Sequence, residues 1–586
     1  MSHAHPPRPA VGLALGVLLS CALVSCGSDD PAELFSATDP AGRFFEPGRV
    51  IEVSIDVAPA DWDALRHQTR NWWDIVAVEG GQCMVEPIPK PFTWFPASVT
   101  VDGEARGNVA VRKKGFLGSL DDQRPALKVR FDYYDPEQTL LGLERLTLNN
   151  AVQDPTFVKQ CLAFRVFENA GLEVPWCNYA HVTVNGRDLG LYVHVESMDR
   201  RWVRRTFEQD GGDLWEGEFS DFRAGWVETF EKKGRVPNDD QAQADRSRLY
   251  DVQRALQGSA GQLQSRLEEL IDFDGFMAFW ATEKVLEHWD GYANQTNNFF
   301  VYDDPGTGRM IFMPWGTDQI AVPDPFDDLD AASRPVSVYS EGALVNRLYA
   351  NHDTRWLYAD RMREVLERAF REEELLAEID RMQALVAPYV PATGVSLDTW
   401  NASLEAFRDW VRTRRGILLA DLEGGPPEWD GAMKDSICVD VAGSIEGRFS
   451  TRFGTKDTGN IFATGRGALS LVYRQQPVQF LNVGAGAGFD AAAESDPWPV
   501  VDVHGYAADG TTYTLWLGVH PDQFHAGGAG ELGGSTAWGG IGQWNPRTWT
   551  WNYLGGFVNG TVEVEQAAPV PGAPARGRFR AVLVAW

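Results

Sequence analysis

The sequence predicts a mixed α+β chain: a bilobal body to about residue 422, followed by an all-β sandwich or jelly-roll domain over residues 431–586. Three observations lead there. Short strand-like runs broken by Gly and charged turns fill the part before residue 200. Helical periodicity dominates much of the stretch from there to 422. Residues 430–586 are rich in Gly, Thr, Val and Trp and show almost no helical periodicity. At 586 residues the chain is long enough for several cores.

The first nine residues carry Arg8 and two His, and Ala10 to Val24 is almost wholly apolar. That is a signal-peptide n-region and h-region, too short for a permanent membrane span. It ends in Leu23-Val24-Ser25-Cys26, which resembles the lipobox of bacterial lipoproteins, where a cysteine is acylated and becomes the new N-terminus. The expectation is an exported protein anchored by lipid at Cys26, on the periplasmic or outer-membrane and cell-surface side. An ordinary signal peptide cleaved nearby is the alternative. Residues 1–26 are thus the signal and lipobox, and 27–45 a polar tether. The formal charge of −29 argues against nucleic acid and anionic membrane surfaces, both of which need a positive face.

The elements follow in order. Val50 to Val57 alternates like a strand, and Pro59-Ala60-Asp61 opens a short helix. Ser98–Val101, Asn108–Val111 and Ala126–Phe131 read as strands. Asp154-Pro155 is expected to start a helix, with Asp as N-cap and Pro at the first helical position, ending at Asn169-Ala170-Gly171. Asn185-Gly186 marks a hairpin between Tyr179–Val184 and Leu189–Val195. Phe273 to Trp289 reads as helix, a second hairpin turns at Asp304-Pro305-Gly306, and residues 355–422 are mostly helical. The body is therefore set at 46–422, with an N-lobe of about 46–200 and a C-lobe of about 201–422. The stretch 423–430, with Gly424-Gly425-Pro426-Pro427, is a linker.

Strands, a helix, a strand hairpin, a helical lobe, a polar loop and another hairpin ending in Asp is the element order of a protein-kinase-like fold. The details resemble the CotH (spore-coat protein H) kinase family. The resemblance rests on Arg112-Lys113-Lys114-Gly115, on Leu127-Lys128-Val129-Arg130-Phe131, and on Leu148-Asn149-Asn150 followed by Asp154-Pro155. It continues through Val184-Asn185-Gly186, Gly190 to Glu196, Asn297 to Tyr302 and Pro314-Trp315-Gly316-Thr317-Asp318. It implies an atypical kinase fold, ATP with Mg²⁺ or Mn²⁺, and transfer of the γ-phosphate to Ser or Thr of a protein substrate.

Phosphoryl transfer needs cations on the phosphates, carboxylates on the metal and a carboxylate orienting the attacking hydroxyl. Asp290, in a polar loop after an apolar helix, is the candidate base, although Asp-Gly is also ordinary turn chemistry. Asp318 is the candidate metal ligand, with Asn298 or else Asn294 as a second. Lys128 is the first choice for the phosphate-binding lysine, and Lys114 and Arg112 compete for the role. Glu168 is a weak partner for that lysine, and Glu196 stands where a kinase hinge would meet the adenine. His288 reads as a packing histidine. The resemblance has departures: the commoner family pattern after Pro-Trp is Asp-x-Asp, here interrupted by Gly316, and the only stand-in for a phosphate-cradling loop is Gly115 to Gly118. A second function follows from them, a catalytically silent kinase-shaped lipoprotein serving surface binding or adhesion.

Three features lie outside that site. Asp324, Asp327, Asp328 and Asp330 lack EF-hand spacing and read as a solvated acidic loop. Cys83, Cys161, Cys177 and Cys438 match no zinc pattern. One or two disulfides and buried free thiols both stay open, Cys161 and Cys177 being the nearest pair. In the C-terminal domain Trp549, Trp551 and Tyr553 alternate, so on a strand they share one face. With Trp516, Trp538 and Trp544 they suggest an accessory module for a carbohydrate or protein ligand, or else core packing.

Overall fold

The computed structural model describes residues 39–585 apart from 71–82, 117, 208, 235–240, 242–243, 326–333, 457–459, 490–497, 535, 546–547 and 549. Cys26, Asp327, Asp328, Asp330 and Trp549 lie outside the described residues.

Seven strands close into a barrel: β1 (Val50–Val57), β2 (Phe95–Val101), β3 (Glu104–Lys113), β4 (Leu127–Arg130), β5 (Arg145–Asn149), β6 (Cys177–Val184) and β7 (Arg187–Val195), in the order β1-β2-β3-β4-β5-β7-β6. Every pairing is antiparallel except β1 with β6, which closes the ring and leaves no edge exposed. The alternation in Val50–Val57 sends Ile51, Val53 and Ile55 inward, where they meet Val99, Val111, Val129, Leu146 and Val182. The hairpin at Asn185-Gly186 has both residues left-handed, φ 51° and 76°, as a two-residue turn requires.

The helix expected at Asp154 begins later, as α1 (Lys159–Asn169). Asp154 instead caps a turn: its carboxylate accepts from Thr156 N and Oγ1 and from Lys159 N. Phe157, at φ 63°, breaks the helical path, so the Asp-Pro signal marks the approach to the helix and not its first turn.

A second sheet of four strands follows, in the order β11 (Arg309–Pro314), β10 (Phe299–Asp304), β8 (Leu214–Gly217) and β9 (Glu231–Lys233). Helix α2 (Phe273–Val285) packs against it and is buried on nearly every side, with Phe276 and Phe279 against Phe312 and Trp280 stacked on Tyr358 at 3.9 Å. It ends at Val285, four residues short of the expected Trp289, and the polar loop begins there. Helices α3 (His352–Arg368), α4 (Glu372–Val386) and α5 (Leu397–Asp421) complete this helical region.

The C-terminal part is one ten-stranded sheet with strands β12 (Asp440–Arg452), β13 (Arg466–Tyr473), β14 (Gln476–Val478), β15 (Phe480–Phe489), β16 (Pro499–Ala507), β17 (Thr512–Val519), β18 (Ala529–Leu532), β19 (Ala537–Asn545), β20 (Thr550–Gln566) and β21 (Pro574–Ala585). Its order is β14-β13-β12-β21-β20-β18-β19-β17-β16-β15, and it curls until Phe453 bridges to Ala487. The mixed α+β class therefore holds.

Both cysteine pairs are oxidised, Cys161 to Cys177 and Cys83 to Cys438. The second pair ties the segment before β2 to the segment before β12. Around it, Met84 N donates to Ile437 O at 2.8 Å. Met84, Ile88 and Phe219 share a small core there with Ile437, Val439, Val558 and Val584.

Candidate active site

The outer wall of the barrel supplies the cations. Alternation along β3 splits the Lys113-Lys114 pair. Lys113 turns inward and is neutralised by Asp122 at 2.9 Å, whereas Lys114 faces out. In register beside it, Arg112 opposes Lys128, and Lys128 opposes Thr147. Lys128 is half-buried, with its charge pushed well down by burial and by the neighbouring Arg145, Arg112, Lys233 and Lys114. Arg112 lies over the Trp94 ring at 4.8 Å, and its buried Nε has no partner. A solvated strand face would show neither feature. Opposite, on the four-stranded sheet, Glu216 and Glu231 hold Lys90 and Lys233 between them. Burial works against the charge of Lys90, but Glu216, Glu231 and Glu218 outweigh it and keep the ammonium protonated.

Lys114 links the wall to the carboxylates. Its Nζ donates to Asn149 Oδ1, and Asn149 Nδ2 donates to Gln160 Oε1 at 2.9 Å, at the start of α1. Burial pushes Lys114 down to about 8, with the charges of Asp318 and Glu216 opposing the shift. Glu168, considered as a partner, is exposed near the far end of α1 and plays no part. The helix reaches the lysine through a neutral amide relay.

Asp318 sits in a single helical turn after β11, docked on α1 by Thr317 Oγ1 donating to Gln160 O at 3.3 Å. Burial pushes its carboxyl up to about 6, the charge of Asp154 adds to that, and Lys114 and Lys159 oppose it. Asp290 lies after α2. Burial drives it up to about 7, and the charges of Asp318 and Asp324 add to the shift. Two amides oppose it: Asn297 Nδ2 donates to Oδ1 at 3.1 Å, and Asn298 Nδ2 donates to Oδ2 at 2.7 Å. Asp290 is therefore held by the asparagines of its own loop.

That loop is strained. Glu287, Thr296 and Asn298 have φ of 54°, 53° and 50°, although none is glycine. Such residues persist only where the surroundings over-determine them, and they cluster at functional sites. Glu283, on α2, is one such determinant. Its carboxylate accepts from Tyr292 N and Ala293 N, both at 2.8 Å, and lies where a side chain at Gly291 would go. His288 Nε2 meets Gly316 O at 3.3 Å, joining this loop to the Asp318 turn.

Two candidates stand elsewhere. The Asn294 amide is spent on Trp289 O at 2.9 Å, on Asp324 at 2.7 Å and on Arg334 at 3.0 Å. Glu196 is buried and saturated by Arg201 and Arg205, both at 2.7 Å, and by Trp176 N at 3.2 Å. Neither side chain is offered to the cleft. The structure brings together Asp290, Asp318, Asn298, Lys114, Lys128 and Arg112.

The fit to a nucleotide and a divalent cation is tested by what this arrangement leaves unsatisfied. No group of three His, Cys, Asp or Glu converges among the described residues. Mg²⁺ does not need one, because it binds through one or two carboxylates plus substrate phosphates and water. Asp318 supplies one such carboxylate, its charge bears unfavourably on Asp290, and the buried Asn297 Oδ1 has no partner, so a cation there relieves both. The uncompensated Lys128 and the orphaned Arg112 Nε are complementary to phosphate. The group fits.

Comparison with known proteins gives the family. Residues 104–418, more than half of the chain, match the family described as CotH kinase protein. The chain belongs to the CotH kinase protein family. It is 24% identical over 301 residues to the inner spore coat protein H of Bacillus subtilis (strain 168), covering 49% of this chain and 80% of that one. It is 33% identical over 61 residues to an inner spore coat protein H-like protein of the same organism, which covers 10% of this chain and 20% of that one. Among solved structures, a Helicobacter pylori proinflammatory kinase, CtkA, aligns over 51% of this chain and 94% of that one, at 9% identity and a TM-score of 0.27.

The CotH match leaves β1, β2 and the C-terminal sheet outside it. Within it, the departure at Gly316 has a steric cause. Gly316 is left-handed at φ 51°, and a Cβ there would lie 2.3 Å from Asn298 Oδ1. In this CotH chain the Asn298 amide occupies the space an aspartate side chain would enter. Sequence reasoning missed Glu283, Lys90 and the Asn149–Gln160 relay. Glu283 lies in an apolar helix with no motif around it. Lys90 sits in a Pro-rich stretch without periodicity, and its partners are more than a hundred residues away.

Proposed function

We propose that this CotH chain is an exported protein kinase of atypical bilobal fold that moves the γ-phosphoryl group of ATP, with Mg²⁺ or Mn²⁺, to Ser or Thr hydroxyls of proteins outside the cytoplasm. The observation that carries the proposal is the cleft in which the charge of Asp318 bears on both Asp290 and Lys114, beside the cation row of Lys128 and Arg112. Asp318 and Asn298 would hold the metal, which when bound neutralises charge developing on the phosphates. Lys114, Lys128 and Arg112 bind the phosphate oxygens. Asp290 accepts the hydrogen bond of the substrate hydroxyl. As the hydroxyl oxygen bonds to the γ-phosphorus, the bond from phosphorus to the bridging oxygen of ADP breaks, and the hydroxyl proton passes to Asp290.

The Leu23-Val24-Ser25-Cys26 segment supports anchoring by lipid at Cys26 on the periplasmic or surface side. The C-terminal sheet is read as an accessory binding domain of sandwich or jelly-roll type. A second reading, a silent scaffold for binding or adhesion, is favoured by Gly316 and by the scarcity of free ATP outside the cytoplasm.

The test is incubation of the full chain with labelled ATP and Mn²⁺ together with a generic Ser/Thr-rich protein acceptor. Wild type is expected to transfer label, and Asp290→Ala and Asp318→Ala to lose about a hundredfold or more. Transfer that survives both substitutions would sink the site. No transfer and no nucleotide-induced rise in Tm would leave the scaffold reading. Cys26→Ala should move the protein from the membrane to the soluble fraction, and its retention there would refute the anchor.

A further inference from the structure

The outer face of β17, β19 and β20 carries rings that lie flat on the backbone of the neighbouring strand. Register places three rows side by side: Thr512–Trp544–Trp551, Thr514–Gly542–Tyr553 and Trp516–Gly540–Gly556. A Cβ at Gly542 would lie 2.3 Å from the Trp551 ring, one at Gly540 2.9 Å from the Trp516 ring, and one at Gly518 2.1 Å from the Trp538 ring. Each glycine is the floor on which an indole rests. Trp516 is inclined by 27° to Tyr553, with ring centres 6.0 Å apart, and by 32° to Trp551, at 6.4 Å.

Covering a glycine with a ring stabilises a sheet, and that accounts for the inner surfaces of these rings. It does not account for the outer ones. Trp551 is 48% exposed and Tyr553 50%, although an indole is ordinarily drawn into a core. The result is a half-exposed apolar platform of mutually inclined rings, with Thr512 and Thr514 beside it in register.

We infer that this platform binds a neutral, β-linked polysaccharide, the pyranose rings lying with their C–H faces on Trp516, Trp551 and Tyr553. The flat C–H face of a pyranose is complementary to an aromatic ring, and the equatorial hydroxyls at its edge need neutral partners such as the two threonines. Charge complementarity selects the occupant. Among the described residues, the only acidic residue that register places beside the platform is Asp502, opposite Trp516, no Lys or Arg is in register with it there, and the chain carries −29 overall, which repels anionic polymers. The inference is independent of the kinase reading, because none of these residues belongs to the cleft.

The test is native-gel retardation of the full chain in detergent, with a panel of soluble polysaccharides: mixed-linkage β-glucan, xylan and glucomannan as neutral members, polygalacturonate and alginate as anionic ones. Tryptophan fluorescence is recorded in parallel. Wild type is expected to be retarded by at least one neutral member with a blue shift. Trp551→Ala and Tyr553→Ala should each weaken retardation about tenfold, and Trp551→Tyr should retain most of it. If Trp551→Ala lowers Tm, the decision rests on Tyr553→Ala, where no glycine depends on the ring. No retardation by any neutral member, equal retardation of the alanine variants, or retardation by the anionic members alone would each overturn the inference.

Discussion

The cleft and the aromatic platform use one steric device for opposite ends. In both, a glycine leaves space that a neighbour's side chain fills. At Gly291 and Gly316 the occupants are polar, the Glu283 carboxylate and the Asn298 amide, and they are buried among other charged groups. Burial pushes Glu283 up to about 8 and Asp290, the carboxylate the Asn298 amide holds, up to about 7. At Gly518, Gly540 and Gly542 the occupants are indoles, and one face of the patch stays in water. A glycine in the cleft fixes where a hydrogen-bonding atom points, and a glycine under the platform fixes how flat a ring lies. The first determines a reaction geometry and the second a contact surface.

The largest test cuts the tie between the two regions. Cys83 and Cys438 are 355 residues apart and lie next to the small core, made by Met84, Ile88, Phe219, Ile437, Val439, Val558 and Val584, that joins the barrel side of the molecule to β20 and β21. Replacing both by Ser removes a long loop constraint and should cost about 2–5 kcal/mol, read as a drop in denaturant midpoint. If the regions unfold as one unit, a single transition shifts. If they are separate, a second transition appears. An unchanged midpoint would show that the disulfide constrains neither region.

Next come the glycines themselves. Gly316→Asp restores the commoner family pattern but forces a side chain at φ 51° into the Asn298 amide. It should destabilise by about 1–3 kcal/mol and reduce label transfer sharply, and adding Asn298→Gly should recover part of the stability but not the transfer, because the amide that holds Asp290 is gone. Higher transfer in the single variant would reverse the steric account. Gly542→Ala should cost about 1–2 kcal/mol by lifting the Trp551 ring off β19, and should weaken polysaccharide retardation without touching label transfer. Loss of transfer in Gly542→Ala would collapse the distinction between the two regions.

Much of this was legible in the sequence, for reasons that differ by region. The barrel strands other than β5, both hairpins and the all-β C-terminal part follow from period-two alternation and turn residues, which are local signals. The Asp290 loop and Asp318 announced themselves as polar residues after an apolar helix and an apolar strand. The start of α1 did not follow, because Asp154-Pro155 serves a turn as well as it serves a helix. Glu196 was misread because its partners Arg201 and Arg205 lie beyond the strand that suggested a hinge. Asn294 was indistinguishable by type from Asn297 and Asn298, and only the fold shows which amide is already spent. The pairing of Cys83 with Cys438, the closed barrel and the Lys90 network depend on contacts across long sequence separations, to which local patterning is blind. The alternation of Trp551 and Tyr553 was readable, but the glycines beneath them belong to another strand.

The smallest expected effect is a pH dependence that isolates the device at Gly291. Burial raises Glu283 to about 8, despite the two backbone N–H groups that favour its charge, and lowers His288 to about 4. Glu283 in the unfolded chain titrates near 4.3 and His288 near 6.5. The folded state therefore keeps a proton on Glu283 that the unfolded state gives up, so this contribution is complete below about 4 and is lost as pH rises through about 8. His288 runs the other way: its contribution is complete above about 6.5 and is lost as pH falls through about 4. Between those limits the two slopes oppose one another, and above pH 6.5 the Glu283 slope stands alone. The Tm of wild type is expected to fall relative to Glu283→Gln as pH goes from 6.5 to 8.5, since glutamine keeps an acceptor oxygen for one of Tyr292 N and Ala293 N and cannot titrate, so its offset is constant with pH. A difference between the two proteins that stays constant across that range would mean that Glu283 is already ionised in the folded state, and that the charge of this carboxylate, like the amide at Gly316, is fully compensated by its neighbours.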